Sequence, residues 1–289
     1  MKKYIIAELA VGISCFGQQL KKALAPYETE CDAKPEVLIT VGKVQEIKPQ
    51  NGKIVRKTEK YLEISTQEGS TSYLTAKGRY SASRKSFLNC PDERYEFDVD
   101  ALQAIKYDVD LFEYRSVGFS FSRALVDHGG FCLHASAIAV NNQAILFSGP
   151  SNVGKSTHTG LWKQYFGKEK VSVINDDNPA IRLMEDGFYA YGTPFCGSTG
   201  INENRKVPLK AIVFLEQARV NAIERLGIKE ASILLFNHTL REKCSEERIV
   251  KILELYEVLL KKIPIYKLKC RPDFEAVNMA CQEILGESE

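Results

Sequence analysis

Gly149-Pro150-Ser151-Asn152-Val153-Gly154-Lys155-Ser156 reads G-x-x-x-x-G-K-S, the spacing of a phosphate-binding loop. The chemistry follows from the residue types. The two glycines let backbone N–H groups approach phosphate oxygens with no Cβ in the way. Lys155 brings a point charge to the outer phosphates, and the Ser156 hydroxyl is a ligand for Mg²⁺. Thr157 follows in the first helical turn and extends the nucleotide-binding stretch. Such a loop must join a strand to a helix, so that the helix N-terminus adds its dipole to the anion site.

Three further segments could complete the chemistry. Val171-Ser172-Val173-Ile174-Asn175 is a strand-like run that ends in Asp176-Asp177. Acids at a strand end downstream of a phosphate loop suit metal handling or proton abstraction. If the strand continues, the two point to opposite faces. One then meets metal and nucleotide, with Asp176 the candidate ligand beside Ser156, and the other meets a hydroxyl nucleophile. His134 lies on the strand before the loop strand, and the turn Asn141-Asn142 makes those two strands a hairpin. That brings His134 toward the loop's mouth. Residues 192–208 form a polar, glycine-rich loop of the kind that is usually functional or disordered, the alternative to a functional loop being a mobile surface one. Within it Arg205 or Lys206 could close over phosphate, and Glu203 could reach metal. His158 is expected on the helix surface; His128 and His238 carry no signal.

The elements that must position these groups are legible from periodicity. Ala144–Ser148 is a short apolar run, as a buried strand would be, and Thr157–Phe166 carries apolar residues at helical spacing. From Phe131 onward strands are expected near 132–140, 144–148, 171–175, 179–184, 188–191, 210–215 and 264–269. Helices are expected near 155–166, 229–237, 246–262 and 273–285. A helix over Val109–Asp127 precedes them and ends at Gly129-Gly130. Before it lies a strand-rich region. A first strand is expected over Lys3–Leu9, followed by Val37–Val41, Ile54–Arg56, Tyr61–Ser65 and Tyr95–Val99. Pro49-Gln50-Asn51-Gly52 reads as a hairpin turn between the second and third of these, and Gln67-Glu68-Gly69-Ser70 as a turn after Ser65. The expected fold class is α/β: a smaller strand-rich module with its connecting helix over 1–128, then a mixed-sheet, P-loop nucleotide-binding domain over 129–289.

Composition sets outer bounds. The chain has 289 residues, 44% hydrophobic and 26% charged, enough for two ordinary domains with sizeable cores. A net charge of +2 gives no argument for nucleic acid or an anionic membrane as partner. No segment approaches the apolar length of a membrane span. Glu8 interrupts the N-terminal apolar run, so a signal peptide is not expected. The eight cysteines form no C-x-x-C unit and no zinc spacing with histidine, which points to reduced, buried thiols in a cytoplasmic protein.

With these residues in hand, the stretch from His134 to about Leu215 resembles the catalytic domain of bacterial HPr serine kinase/phosphorylase. It especially resembles the HPr-kinase-like proteins associated with peptide modification. The histidine ahead of the loop, the loop Gly149–Ser156 and the strand ending in Asp176-Asp177 carry the resemblance. ATP-dependent phosphoenolpyruvate carboxykinases share this core, and Ile174-Asn175-Asp176-Asp177 is similar to their strand end. The resemblance implies that Asp177 is the general base for a serine hydroxyl, that His134 supports that carboxylate, that Lys155 holds the β-phosphate and that Ser156 binds Mg²⁺. It also implies an oligomer. The family's glutamate metal ligand in its arginine-glycine context is not found, and its HPr-recognition signature is not evident in 192–208.

The expectation is therefore an ATP- and Mg²⁺-dependent phosphotransferase of HPr-kinase type. It would transfer the γ-phosphate to a serine or other hydroxyl on a peptide, protein or small molecule. The alternative is an ATP-binding accessory protein of a peptide-modification system that transfers nothing. A plain ATPase switch is a third reading, for which no water-orienting residue stands out.

Overall fold

A computed structural model describes residues 1–31, 34–88, 90–241 and 244–286. The chain separates into two compact units, Met1–Ala124 and Leu125–Glu289.

The first unit is built on one eight-stranded sheet. In chain order its strands and helices are β1 (Lys2–Ile6), β2 (Leu9–Ser14), α1 (Gln18–Leu24), β3 (Val37–Val44), β4 (Lys53–Lys57), β5 (Tyr61–Thr66), β6 (Gly69–Ala76), β7 (Arg79–Phe87), β8 (Glu93–Asp98) and α2 (Val99–Ala104). A long helix, α3 (Val109–Asp127), follows, and the boundary between the units falls inside it. The sheet order is β1-β2-β3-β8-β7-β6-β5-β4.

Several expected elements change here, each for a local reason. The single strand over Lys3–Leu9 is two strands. Ala7 and Glu8 take φ of 50° and 61°, and Ile6 pairs with Leu9 across that two-residue hairpin turn. Asn51-Gly52 does not close a hairpin between β3 and β4, because β3 pairs with β2 and β8 while β4 lies at the far edge against β5. The turn after β5 is shorter than expected: Thr66 pairs with Gly69, so Gly69-Ser70 already belong to β6. Val99 opens α2 instead of ending a strand, since the Asp98 side chain accepts from the Ala101 N–H at 3.0 Å and caps the helix.

The second unit is α/β with a mixed sheet. Its elements are β9 (Gly130–Cys132), β10 (Ala135–Val140), β11 (Gln143–Ser148), α4 (Lys155–Phe166), β12 (Val171–Asp177), β13 (Ala180–Met184), β14 (Gly187–Tyr191), β15 (Lys206–Gln217), β16 (Ala222–Arg225), α5 (Ile228–His238), α6 (Glu246–Lys262), β17 (Ile265–Cys270) and α7 (Phe274–Leu285). The path β12-β10-β11-β15-β14-β13-β9 is continued off β15 by β17 and then β16. The pairs β10–β11 and β10–β12 are antiparallel, whereas β11–β15 and β15–β17 are parallel.

The strand sequences explain this layering. Alternate residues of β10, β11 and β15 feed two separate cores. Ile138, Val140, Ile145, Phe147 and Val213 join Trp162 of α4 and Val277 and Ile284 of α7. Ala137, Ala139, Leu146, Ile212 and Phe214 join Leu235 of α5 and Ile252, Tyr256 and Leu259 of α6. A sheet covered by helices on both faces needs apolar residues at nearly every position, hence the unbroken runs seen in sequence. The run expected as one strand near 132–140 is broken at Leu133-His134 into β9 and β10, and β16 falls where no strand is expected. β16 is mostly exposed and so carries no apolar signature.

Thiol burial is narrower than expected. Cys132, Cys196 and Cys281 are buried, Cys31 is exposed and the other four lie between; all eight are free. Among the described residues no helix is long and apolar enough to cross a membrane.

Candidate functional site

β11 ends at Ser148, and the loop 149–154 delivers the chain to α4. Its backbone needs the residues it has. Gly149 and Gly154 sit at φ of 146° and 107°, and Asn152 at 64°. A Cβ on Gly149 would meet Val153 Cγ1 at 3.0 Å and the Leu215 carbonyl at 3.1 Å. The loop is tied to the end of β15, where Gln217 Nε2 donates to the Asn152 and Val153 carbonyls, each at 3.3 Å. Gly154 is the N-cap of α4 and offers no side chain to its first N–H groups. An anion is their natural partner. Lys155 Nζ donates to the Gly149 and Pro150 carbonyls, both at 3.2 Å, while Ser156 and Thr157 are exposed at the helix start.

The acid pair reaches this loop through a register shift. In β12, Val173 opposes Ile138 and Asn175 opposes Ala137, so Ile174 is an extra residue, a β-bulge. Beyond it Asp176 opposes Ser136 and Asp177 opposes Ala135. The two carboxylates therefore take opposite faces. Asp176 shares the face of Ser136, whose hydroxyl meets Thr159 of α4 at 3.0 Å. It is 8% exposed, and its Oδ1 is buried with no hydrogen-bond partner. Asp177 lies beside Ala135, which on its other side opposes Ser148 at the mouth of the loop.

His134 is the partner of Asp177. Its Nε2 stands 3.4 Å from Asp177 Oδ1, both side chains being about one third exposed. The other carboxylate oxygen, Oδ2, accepts from Asn178 Nδ2 at 2.7 Å. Asn175 Oδ1 accepts from the N–H groups of Asp177 and Asn178 at 3.1 and 2.8 Å, which fixes the turn after the strand. The backbone of His134 is pinned on both sides: its N–H donates to the His238 carbonyl at 2.8 Å and its carbonyl accepts from Ser148 Oγ at 2.9 Å.

The charges are coupled. Burial lowers the Lys155 ammonium below its ordinary value, and the charges of Asp177 and Asp176 oppose that shift. His238, which gave no signal in the sequence, belongs to the same constellation. Burial, and then the charges of His134 and Lys155, hold its imidazole below the ordinary histidine value. Nothing local in the sequence could reveal this. The C-terminus of α5 reaches the site through the His134 N–H bond to the His238 carbonyl, the Leu133–Thr239 bridge and the Leu240 N–H bond to the Cys132 carbonyl, all between segments over a hundred residues apart.

The loop from Gly192 to Arg205 divides in two. Its first part is buried against the acid strand. Asn175 Nδ2 donates to the Thr193 carbonyl at 2.9 Å. The loop's last part returns to the same strand by backbone, the Glu203 N–H donating to the Ile174 carbonyl at 2.8 Å, and the Arg205 side chain then leads away from the acids. Arg205 donates to Ser172 Oγ and to Asn142 Oδ1, each at 3.2 Å. Asn142 is in the hairpin turn at the opposite end of β11 from loop 149–154. A six-residue strand puts that end roughly 20 Å off. Arg205 therefore does not join Lys155, Asp177 and His134. Glu203 pairs with Arg205 at 3.8 Å instead of facing the loop. Lys206 starts β15 and stacks over the Tyr189 ring at 4.4 Å.

His158 corrects a second expectation. It is 3% exposed, not a surface residue. Its Nε2 accepts from Trp162 Nε1 at 3.1 Å, and its ring lies edge-on to Phe147 with centroids 4.6 Å apart. Among the described residues no group of three or more His, Cys, Asp or Glu side chains is gathered as a metal cage.

Residues 101–273 match the family model described as SynChlorMet cassette protein ScmC, and that span holds every site residue named above. No curated protein matches the chain.

Proposed function

This chain belongs to the ScmC family of SynChlorMet cassette proteins, and we propose that it is an ATP- and Mg²⁺-dependent phosphotransferase acting on a hydroxyl acceptor. The reading includes a core of the HPr-kinase and phosphoenolpyruvate-carboxykinase kind and a cytoplasmic setting with reduced thiols. The observation that carries it is the His134–Asp177 pair, 3.4 Å apart, at the mouth of the loop that holds Lys155.

Each part has a role that its surroundings support. Loop N–H groups and Lys155 bind and orient the phosphates, which is most of what phosphoryl transfer asks of a protein. Asp177 Oδ1 accepts the acceptor's hydroxyl proton, and His134 orients that carboxylate and shares its charge. The residues also fit Mg²⁺. Asp176 has an orphaned buried oxygen and Ser156 an exposed hydroxyl in the first helical turn. Mg²⁺ favours few protein ligands, with water and phosphate completing its shell, so a cage of side chains is not required. When bound there, the ion would neutralise charge on the phosphates.

The competing reading is an ATP-binding accessory protein without transfer. The pairing of Glu203 with Arg205 favours it, because that glutamate is then not a metal ligand. One experiment separates the two. The protein is incubated with labelled Mg-ATP, alone and with a lysate or with peptides encoded nearby. Label passing to a hydroxyl acceptor, and lost in Asp177→Asn, establishes the transferase. ATP binding with no transfer in either form supports the accessory protein.

A further inference from the structure

The two edges of the first unit's sheet differ. At one, β1 is covered: Glu28 bridges Tyr4, and the Thr29 N–H donates to the Lys3 carbonyl at 3.0 Å. At the other, β4 pairs with β5, and among the described residues no strand lies along its outer side. Every residue from 51 to 60 is exposed. An edge strand left open carries a row of N–H and C=O groups that another strand can pair with.

Two apolar side chains stand on this edge, Ile54 56% and Val55 59% exposed. Ile54 opposes Ile64, which places it on the face of the small core of Ile47, Leu62, Ile64 and Tyr73. That core leaves it uncovered. Val55 is an extra residue, a bulge between Ile54 and Arg56. Because of the bulge, Ile54 and Lys57 take the core face, while Lys53 and Arg56 take the other.

The charge on the edge has one sign. Between 51 and 60, Lys53, Arg56, Lys57 and Lys60 stand against Glu59 alone. Among the described residues no acid forms an ion pair with Lys53, Arg56 or Lys57; Arg56 lies over the Tyr61 ring at 5.7 Å. Lysine on an edge strand guards it against pairing. Here the guard is selective. Two copies of β4 set edge to edge would bring these cations together, and like charges across a strand pair destabilise it. An acidic strand meets the same cations as attraction.

We propose that β4 is the docking edge for an acidic, extended peptide segment of a partner protein, which adds a strand to the sheet. Main-chain bonds to the open ladder supply affinity, and side chains supply selection. Acids of the segment lie beside Lys53, Arg56 and Lys57. An aliphatic side chain beside Ile54 completes the rim of the small core. The edge uses none of the residues assigned to phosphate chemistry.

The test uses the full-length protein and three fluorescein-labelled octapeptides. One alternates glutamate and valine, the second is the same peptide N-methylated along its backbone, and the third alternates lysine and valine. Fluorescence anisotropy is expected to show saturable binding of the glutamate peptide, binding of the N-methylated form weaker by at least roughly tenfold, and none of the lysine peptide. Hydrogen exchange at 53–57 is expected to slow when the glutamate peptide saturates. The double variant Lys53→Glu, Lys57→Glu changes only exposed positions, so its Tm is expected to match wild type. Its preference is expected to invert, with the lysine peptide bound and the glutamate peptide weakened roughly tenfold. No saturable binding of the glutamate peptide overturns the docking edge. Equal binding of the N-methylated form does so too, since the contact would then be charge alone. Binding that leaves exchange at 53–57 unchanged, or an unchanged preference in the variant, places the peptide elsewhere and overturns it as well. A dimer in sedimentation whose formation slows exchange at 53–57 would give the edge to a second copy instead.

Discussion

Gly197 lies directly against Asp177. A Cβ on Gly197 would stand 3.1 Å from the Asp177 Cβ, Cγ and Oδ2, and the glycine sits at φ of 65°. The loop thus sets the rotamer of the acid it covers. Gly197→Ala adds the left-handed backbone cost of an L-residue, of order 1 kcal/mol, and a contact the carboxylate must give way to. Small displacements of a reacting group are costly in rate. The expected outcome is a transfer rate lowered about tenfold with ATP affinity unchanged, read by single-turnover transfer and equilibrium nucleotide binding. An unchanged rate would mean that the carboxylate's placement does not matter.

Asp177→Asn keeps the size of the side chain and removes the basic oxygen. If Asp177 takes the acceptor's proton, transfer falls by roughly 10²–10⁴ while ATP binds as before. His134→Gln is expected to fall less, since it acts through Asp177, and to shift the pH–rate profile of the remaining activity. A profile identical to wild type would show that His134 and Asp177 are not coupled in function.

Lys155→Ala tests the loop itself. Lys155 is half-buried, held low by its surroundings and close to both acids. On the proposed reading, a phosphate chain would replace the two loop carbonyls as acceptor for its ammonium. The variant is expected to lose at least tenfold in ATP affinity, as measured by calorimetry. Wild-type affinity would end the phosphate-loop reading.

Much of this site was legible because it is local. The loop spacing, its strand and helix, the acid pair and the Asn141-Asn142 turn are all short-range patterns. That turn has both residues at positive φ, 49° and 59°, as a two-residue hairpin requires. The face each acid takes was not legible. It depends on the bulge at Ile174, and shifting the register by one residue would exchange Asp176 and Asp177 between faces. His238 and the distance of Arg205 were hidden for a related reason. Both are set by pairings between segments far apart in the chain. In the first unit, the Asn51-Gly52 turn misled because a good turn sequence says nothing about which strands it joins.

The buried His158 gives the chain a pH signature that is independent of catalysis. Burial lowers its imidazole to about 4 from the ordinary 6.5, with Asp273 opposing weakly. Its Nε2 accepts from the Trp162 indole, so the neutral ring carries its proton on Nδ1, and a second proton would have to enter at Nε2 and break that bond. In the unfolded chain the same histidine binds a proton at about 6.5. Between those values the unfolded state holds more protons, and stability must rise with pH there. The contribution is complete above about pH 6.5 and is lost progressively as pH falls toward 4. A shift of this size corresponds to about 3 kcal/mol at most. His158→Gln keeps an acceptor for the Trp162 indole and removes the titration. The wild type is expected to lose denaturant stability between pH 6.5 and 4 more steeply than the variant, by up to that amount. Parallel stability curves across that window would show that His158 is not held neutral in the fold.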